Sequence, residues 1–257
     1  MSNSPEKVEP AFLWDMNGVI IDDEPIHEQA FRDSIKQVLG LDLPNQEYEL
    51  YFFGKTDRQG VLDFCLGRLE QGIIDERTVL NICDLKNEFY AKNATTEMKV
   101  FADAVNLLLA LQSDGYKQYI VTGSNRGETE IALSLLPDVF SGSVASEDYE
   151  GSKPDPDPYL AGATLASKDP RDCIVFEDSL AGIRAGKAAG CTTIGIDNGF
   201  QTSYQIRMMS ESSDGIFMLS EINPKLVLDI HNCGGRPNVL GDTTLRISTG
   251  PPSGFTI

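Results

Sequence analysis

Basic residues are scarce in this chain: 21 Lys and Arg stand against 39 Asp and Glu, a formal charge of −18. Without a basic face there is nothing to draw in a polyanion, so neither nucleic acid nor an anionic membrane surface is expected as the main partner. A small phosphorylated ligand is not excluded, because a metal ion and a few convergent cations suffice to hold one. The five cysteines (Cys65, Cys83, Cys173, Cys191 and Cys233) are scattered, odd in number and without a Cys-x-x-Cys pair. That excludes an evident disulfide framework and favours reduced thiols in the cytoplasm. No apolar run approaches a membrane span, and the opening MSNSPEKVEP carries Glu6 and Glu9 where a signal would have a basic start and an apolar stretch. The expectation is a soluble protein without a secretory signal, with a monomer favoured.

At 257 residues the chain can bury a substantial core and hold one large domain, or a domain with an inserted partner. Short apolar runs recur at Ala11 to Trp14, Gln118 to Val121, Cys173 to Phe176, Thr192 to Ile196 and Gly215 to Leu219. Helix-like stretches such as Asp103 to Ser113, Glu128 to Leu136 and Ser179 to Ala189 lie between them. Apolar strands without strong polar alternation, separated by helices, predict a parallel α/β sheet covered on both faces. From about Pro25 to Asn93 the spacing is helical throughout, for example at Ala30, Phe31 and Ile35, and at Val61, Leu62 and Cys65. That segment reads as a helical insert after the first strand, broken at Gly40 to Pro44 and at Gln71-Gly72. The tail after about Asn232 is rich in Gly, Pro, Ser and Thr, and reads as a loosely packed or disordered extension.

Four segments concentrate chemistry. Phe12-Leu-Trp-Asp15-Met-Asn17-Gly18 places an acid at the end of a buried strand, where open α/β sheets bind ligands. Thr122-Gly123-Ser124-Asn125-Arg126 follows another strand with hydroxyls, a glycine and a cation, a set suited to phosphate oxygens. Gly151-Ser-Lys153-Pro154-Asp155-Pro156 sets a lysine in a proline-stiffened loop, and Glu177-Asp178-Ser179 puts adjacent acids between a strand and a helix. Singly, each has a plainer account: a turn, a solvated lysine or a helix cap. All four in this order at strand ends are hard to obtain by chance.

In these segments the chain resembles the haloacid dehalogenase superfamily, in particular its capped phosphatase and β-phosphoglucomutase branch, over about Ala11 to Ile230. The resemblance implies a Rossmann-like parallel sheet core (residues 1–22 and 94–231) with an inserted helical cap (23–93) and an extension (232–257). It also implies a Mg²⁺-dependent phosphohydrolase acting on a small phosphorylated metabolite, a sugar phosphate by preference. Asp15 would be the nucleophile that forms an aspartyl-phosphate, while Thr122 and Lys153 hold the phosphoryl group. Glu177 and Asp178, with Asp15 and the Asn17 backbone carbonyl, would bind the metal. Gly123, Ser124, Asn125 and Arg126 would line the phosphate loop. From the cap, His27, Lys55, Arg58 and Lys86 match substrate-facing positions, although each is also readable as an ordinary surface residue. Inward-facing Lys55, Arg58 and Lys86 would favour a mutase holding a bisphosphorylated sugar.

Asn17 departs from the family pattern, which has an aspartate there as general acid and base. An amide cannot fill that role, and general acid–base catalysis is worth about 10²- to 10⁴-fold, or roughly 3 to 5 kcal/mol. A phosphoenzyme that forms more readily than it hydrolyses is therefore expected. The alternatives are another acid, such as Asp22 or a cap residue, taking over the role, or a weakened phosphate-binding protein.

Overall fold

The computed structural model describes residues 9–52, 56–68 and 75–234. In chain order its strands are β1 (Ala11–Trp14), β2 (Ile21–Asp22), β3 (Lys99–Val100), β4 (Gln118–Val121), β5 (Phe140–Val144), β6 (Cys173–Glu177), β7 (Thr192–Ile196) and β8 (Gly215–Phe217). The helices are α1 (Glu24–Leu39), α2 (Asn45–Tyr51), α3 (Asp57–Arg68), α4 (Glu76–Glu97), α5 (Ala102–Ser113), α6 (Arg126–Leu135), α7 (Asp157–Leu165), α8 (Leu180–Ala189), α9 (Ser203–Ser212) and α10 (Pro224–Asn232).

Six strands form one parallel sheet in the order β5-β4-β1-β6-β7-β8. Every residue of β1 is buried. Alternate side chains of a strand point to opposite faces, and here both faces are apolar. Phe12 and Trp14 join Leu107, Leu108 and Leu111 of α5 and Val227 and Ile230 of α10. Ala11 and Leu13 pack with Tyr159 and Ala163 of α7 and Ala185 of α8. This double burial is why the strand reads as a continuous apolar run, and it is the α/β architecture expected.

Successive strands run outward from β1 to β4 and β5 on one side, and then to β6, β7 and β8 on the other. The reversal opens a crevice between the carboxyl ends of β1 and β6, where open parallel sheets take ligands.

The five apolar runs all become strands, with β8 ending at Phe217 because Leu219 already opens a 3-10 turn. β5 was not foreseen: Phe-Ser-Gly-Ser-Val is half polar and lies on the sheet edge, where one side needs no apolar cover. Between β2 and β3 the described residues form four helices and no strand, as the spacing predicts. Gly40 closes α1 in the left-handed conformation (φ 69°), a position that favours glycine. α4 runs on to Glu97, past the Asn93 at which the helical insert was expected to end. Phe31, Ile35, Phe52, Val61, Phe64, Val79 and Ile82 give these helices their own apolar cluster. The antiparallel β2–β3 ribbon holds together the two passages of chain that flank them. The Gln71-Gly72 break and the tail beyond residue 234 lie outside the described residues. No helix among the described residues is long and apolar enough to cross a membrane.

Candidate active site

Asp15 follows β1 directly, and its N–H donates to the Phe176 carbonyl at 3.0 Å. The in-register pairing of β1 with β6 thus sets Asp15 beside Glu177, the last residue of β6, and Asp178. One oxygen from each of the three carboxylates lies within 4.8 Å of the others. Lys153 reaches in from its loop, donating to Asp15 Oδ1 and Glu177 Oε1, both at 2.5 Å.

Neighbouring groups hold each acid in place. The Tyr159 hydroxyl donates to Glu177 Oε1 at 2.8 Å. The other oxygen of Glu177 accepts from the Ser179 N–H at 3.0 Å and hydroxyl at 2.9 Å, while Ser179 caps α8. Asn198 Nδ2 spans the Gly18 carbonyl (2.8 Å) and Asp178 Oδ2 (3.0 Å), and Gln201 donates to the Asp178 carbonyl. Two glycines make room. A Cβ on Gly182 would lie 1.6 Å from Glu177 Oε1, and one on Gly18, itself at φ +76°, would lie 2.1 Å from Asp178 Oδ2.

Two buried carboxylates and a half-buried third against one lysine leave excess negative charge. Burial, reinforced by Glu177, pushes the Asp15 carboxyl up to about 7 although Lys153 pulls it back. Burial and the charges of Glu177 and Asp15 raise Asp178 well above the carboxylate range. Lys153 is raised, because attraction to Asp15 and Glu177 outweighs its own burial. An oxygen-rich, over-acidic cluster with side-chain space cleared by glycines fits a hard divalent cation.

The loop after Asp15 carries a second network. Asn17 donates from Nδ2 to both oxygens of Asp23, at 2.7 and 2.9 Å. Its Oδ1 accepts from Ser124 Oγ at 2.9 Å and Thr122 Oγ1 at 3.2 Å, which brings the β4 loop to the site. Asp23 also accepts from the Tyr90 hydroxyl of α4 at 2.6 Å and lies 3.2 Å from His27 Nε2. The His27 ring stacks on Tyr90 with centroids 4.4 Å apart. Burial works against a charge on Asp23, but hydrogen bonds from His27, Tyr90 and Asn17 hold it below its ordinary value.

The remaining predicted residues are placed elsewhere or otherwise engaged. Lys86 is fully buried, donating to Asp57 at 2.8 Å and to Glu128 at 2.7 Å. Arg58 pairs with Glu76 on the surface. Arg126 bonds Asp148 and Ser143. The Asn125 side chain caps α6 in a reciprocal box with Glu128. Beside Gly123 the nearest atom to an added Cβ is the Tyr149 hydroxyl at 4.0 Å. Lys55 lies outside the described residues. Sequence reasoning passed over Tyr159, Asn198, Gln201 and Asp23. Asn198-Gly199 after β7 is one more strand-end turn and could have been found that way.

A family model described as haloacid dehalogenase-like hydrolase matches residues 10–190. The chain belongs to the haloacid dehalogenase-like hydrolases. Hexitol phosphatase A of Escherichia coli is 31% identical over 190 residues, spanning 72% of this chain and 82% of the relative. A β-phosphoglucomutase of Mycobacterium bovis is 26% identical over 82% of this chain and 89% of its own. The crystal structure of an HAD hydrolase, family IA, variant 3, from Entamoeba histolytica superposes with a TM-score of 0.75. It covers 88% of this chain and all of that one at 24% identity, a likeness of fold. The haloacid dehalogenase-like fold accounts for the six-stranded parallel sheet.

Proposed function

We propose that the protein is a Mg²⁺-dependent phosphohydrolase acting on a small phosphorylated metabolite of the sugar-phosphate class. The observation that carries this reading is the cluster of Asp15, Glu177 and Asp178, with Lys153 bonded to the first two. A phosphate ester arriving at Asp15 adds negative charge to a site already in excess, and the bound magnesium would offset that charge and fix the phosphoryl oxygens. Asp15, Glu177, Asp178 and the Asn17 carbonyl are the groups to hold it. Hexitol phosphatase A supports the substrate class by similarity. The five unpaired cysteines agree with a cytoplasmic setting.

In this reading a carboxylate oxygen of Asp15 attacks phosphorus and the ester P–O bond breaks with its electron pair, leaving an aspartyl-phosphate and an alkoxide that takes up a proton. Water then cleaves the acyl phosphate and restores Asp15. Lys153 stays on the reacting oxygens through both steps, and Thr122, Ser124 and the Gly123 loop receive the phosphoryl oxygens. The Asn17 amide can orient groups but cannot move the proton, so the second step is slow. Helices α1–α4, taken as the cap, keep bulk water from the acyl phosphate.

A β-phosphoglucomutase-like transfer is the second reading, favoured by similarity to the mycobacterial mutase. It needs a second anion site. Lys86, fully engaged by two acids, and Arg58, paired on the surface, do not supply one among the described residues, which favours hydrolysis. Acid quenching during turnover, followed by peptide mass analysis, tests the mechanism. One phosphoryl group on the peptide containing Asp15 is expected, and phosphate turnover with that peptide unmodified would overturn it.

A further inference from the structure

We propose that residues 17 and 23 work as one coupled acid–amide pair, in which Asp23 is a positioning residue that aims the Asn17 amide at Thr122 and Ser124. An ionised carboxylate only accepts hydrogen bonds. Because both Asp23 oxygens face Asn17, at 2.7 and 2.9 Å, the amide must turn its NH₂ toward Asp23 and its oxygen toward the two hydroxyls. Asp23 is itself fixed: it is 2% exposed, and Tyr90 and His27 approach it from the helices as further donors. Each of its side-chain hydrogen-bond partners faces it with a donor, which suits Asp23 to carry a negative charge. That charge sits at position 23, not at 17.

The consequence is a constraint on substitution. Asn17→Asp sets a second carboxylate at hydrogen-bonding distance from the first, replacing a donor with a repelling acceptor. An acid at position 17 is accommodated only when position 23 gives one up. Asp23 therefore governs, through Asn17, where the Thr122 and Ser124 hydroxyls point, although it bonds none of the other residues assigned to the phosphate or the metal. The effect on turnover rests on the phosphohydrolase reading above, whereas the pairing itself does not.

Four full-length proteins test it: the wild type, Asn17→Asp, Asp23→Asn and the exchange Asn17→Asp/Asp23→Asn. Each is melted without metal and assayed for phosphate release from a sugar phosphate with Mg²⁺. Each single variant is expected to melt below the wild type, and the exchange to recover most of the loss, since it again pairs one acid with one amide. Asn17→Asp alone should be no faster than the wild type, while the exchange should gain at least about tenfold in kcat by placing an acid at position 17. Additive melting losses in the exchange would overturn the pairing. So would an Asn17→Asp protein that melts with the wild type, and this comparison decides the matter even where Asp23→Asn fails to fold. If none of the four releases phosphate, the functional reading falls, and the melting cycle still decides the pairing.

Discussion

At the ends of β1 and β6 three carboxylates gather around a single lysine that bonds only two of them, whereas along the neighbouring loop and α4 each buried charge has matched company. Asp23 accepts from Asn17, His27 and Tyr90, and Lys86 is met by Asp57 and Glu128. Both regions are buried, so desolvation penalises charge in each; what differs is the compensation. In the first, burial leaves the Asp15 carboxyl pushed up to about 7. In the second, Asp23 is held below its ordinary value and Lys86 above, because partners outweigh burial. The unbalanced cluster has the character of a site completed by a cation. The balanced one ties the helices to the sheet and holds the Asn17 side chain in place.

The largest effect should separate activity from stability. Asp15→Asn is expected to lower phosphate release by about 10⁴-fold or more, the scale seen when a nucleophile is removed. Its melting temperature without metal should not fall, because one uncompensated acid has gone. Loss of both together would erase the contrast between the regions.

Lys86→Met should do the reverse to stability. Breaking a buried ion cluster by removing one partner costs 3–5 kcal/mol, and the lower end, about 3 kcal/mol in urea unfolding, is expected because Asp57 keeps 34% of its side chain in solvent. A change below about 1 kcal/mol would mean that the triad is not the tie between α3, α4 and α6 that its geometry implies.

Asp15 also gives the metal-free protein a pH signature. Its folded value lies above the ordinary 3.8, so the folded state holds the proton longer. Stability from this group is full below about 4 and is lost as pH rises through about 7, at up to about 1.4 kcal/mol per pH unit. The stability difference between Asp15→Asn and the wild type should therefore widen from pH 4 to 7, and saturating Mg²⁺ should remove the trend. Asp23 has the opposite sign: its contribution is lost as pH falls through its lowered value.

The smallest effect belongs to Arg58→Ala. The Arg58–Glu76 pair is 60% and 69% exposed, so unfolding free energy should change by less than about 0.5 kcal/mol. A larger change would move Arg58 out of the solvated surface class.

The strand-end chemistry was legible because Asp15, Thr122, Glu177 and Asp178 each follow an apolar run whose burial the sequence declares. Lys153 was legible only by its loop and by resemblance. The fate of Lys86 was not legible: its partner Glu128 lies 42 residues away on another helix, and nothing local distinguishes a buried, doubly paired lysine from an exposed one. Asp23 hid for a related reason. In Asp22-Asp23-Glu24 it is one acid of three, and only the folded loop turns it toward Asn17. β5 escaped because an edge strand needs little apolar sequence.

The central claim, that the over-acidic cluster is a metal-completed site for phosphate-ester hydrolysis, is tested most directly by phosphate release from a panel of sugar phosphates, with Mg²⁺ and with a chelator in its place. The account predicts release from at least one sugar phosphate with Mg²⁺ and none with the chelator. Equal release in both conditions, or none from any sugar phosphate with Mg²⁺, would contradict it.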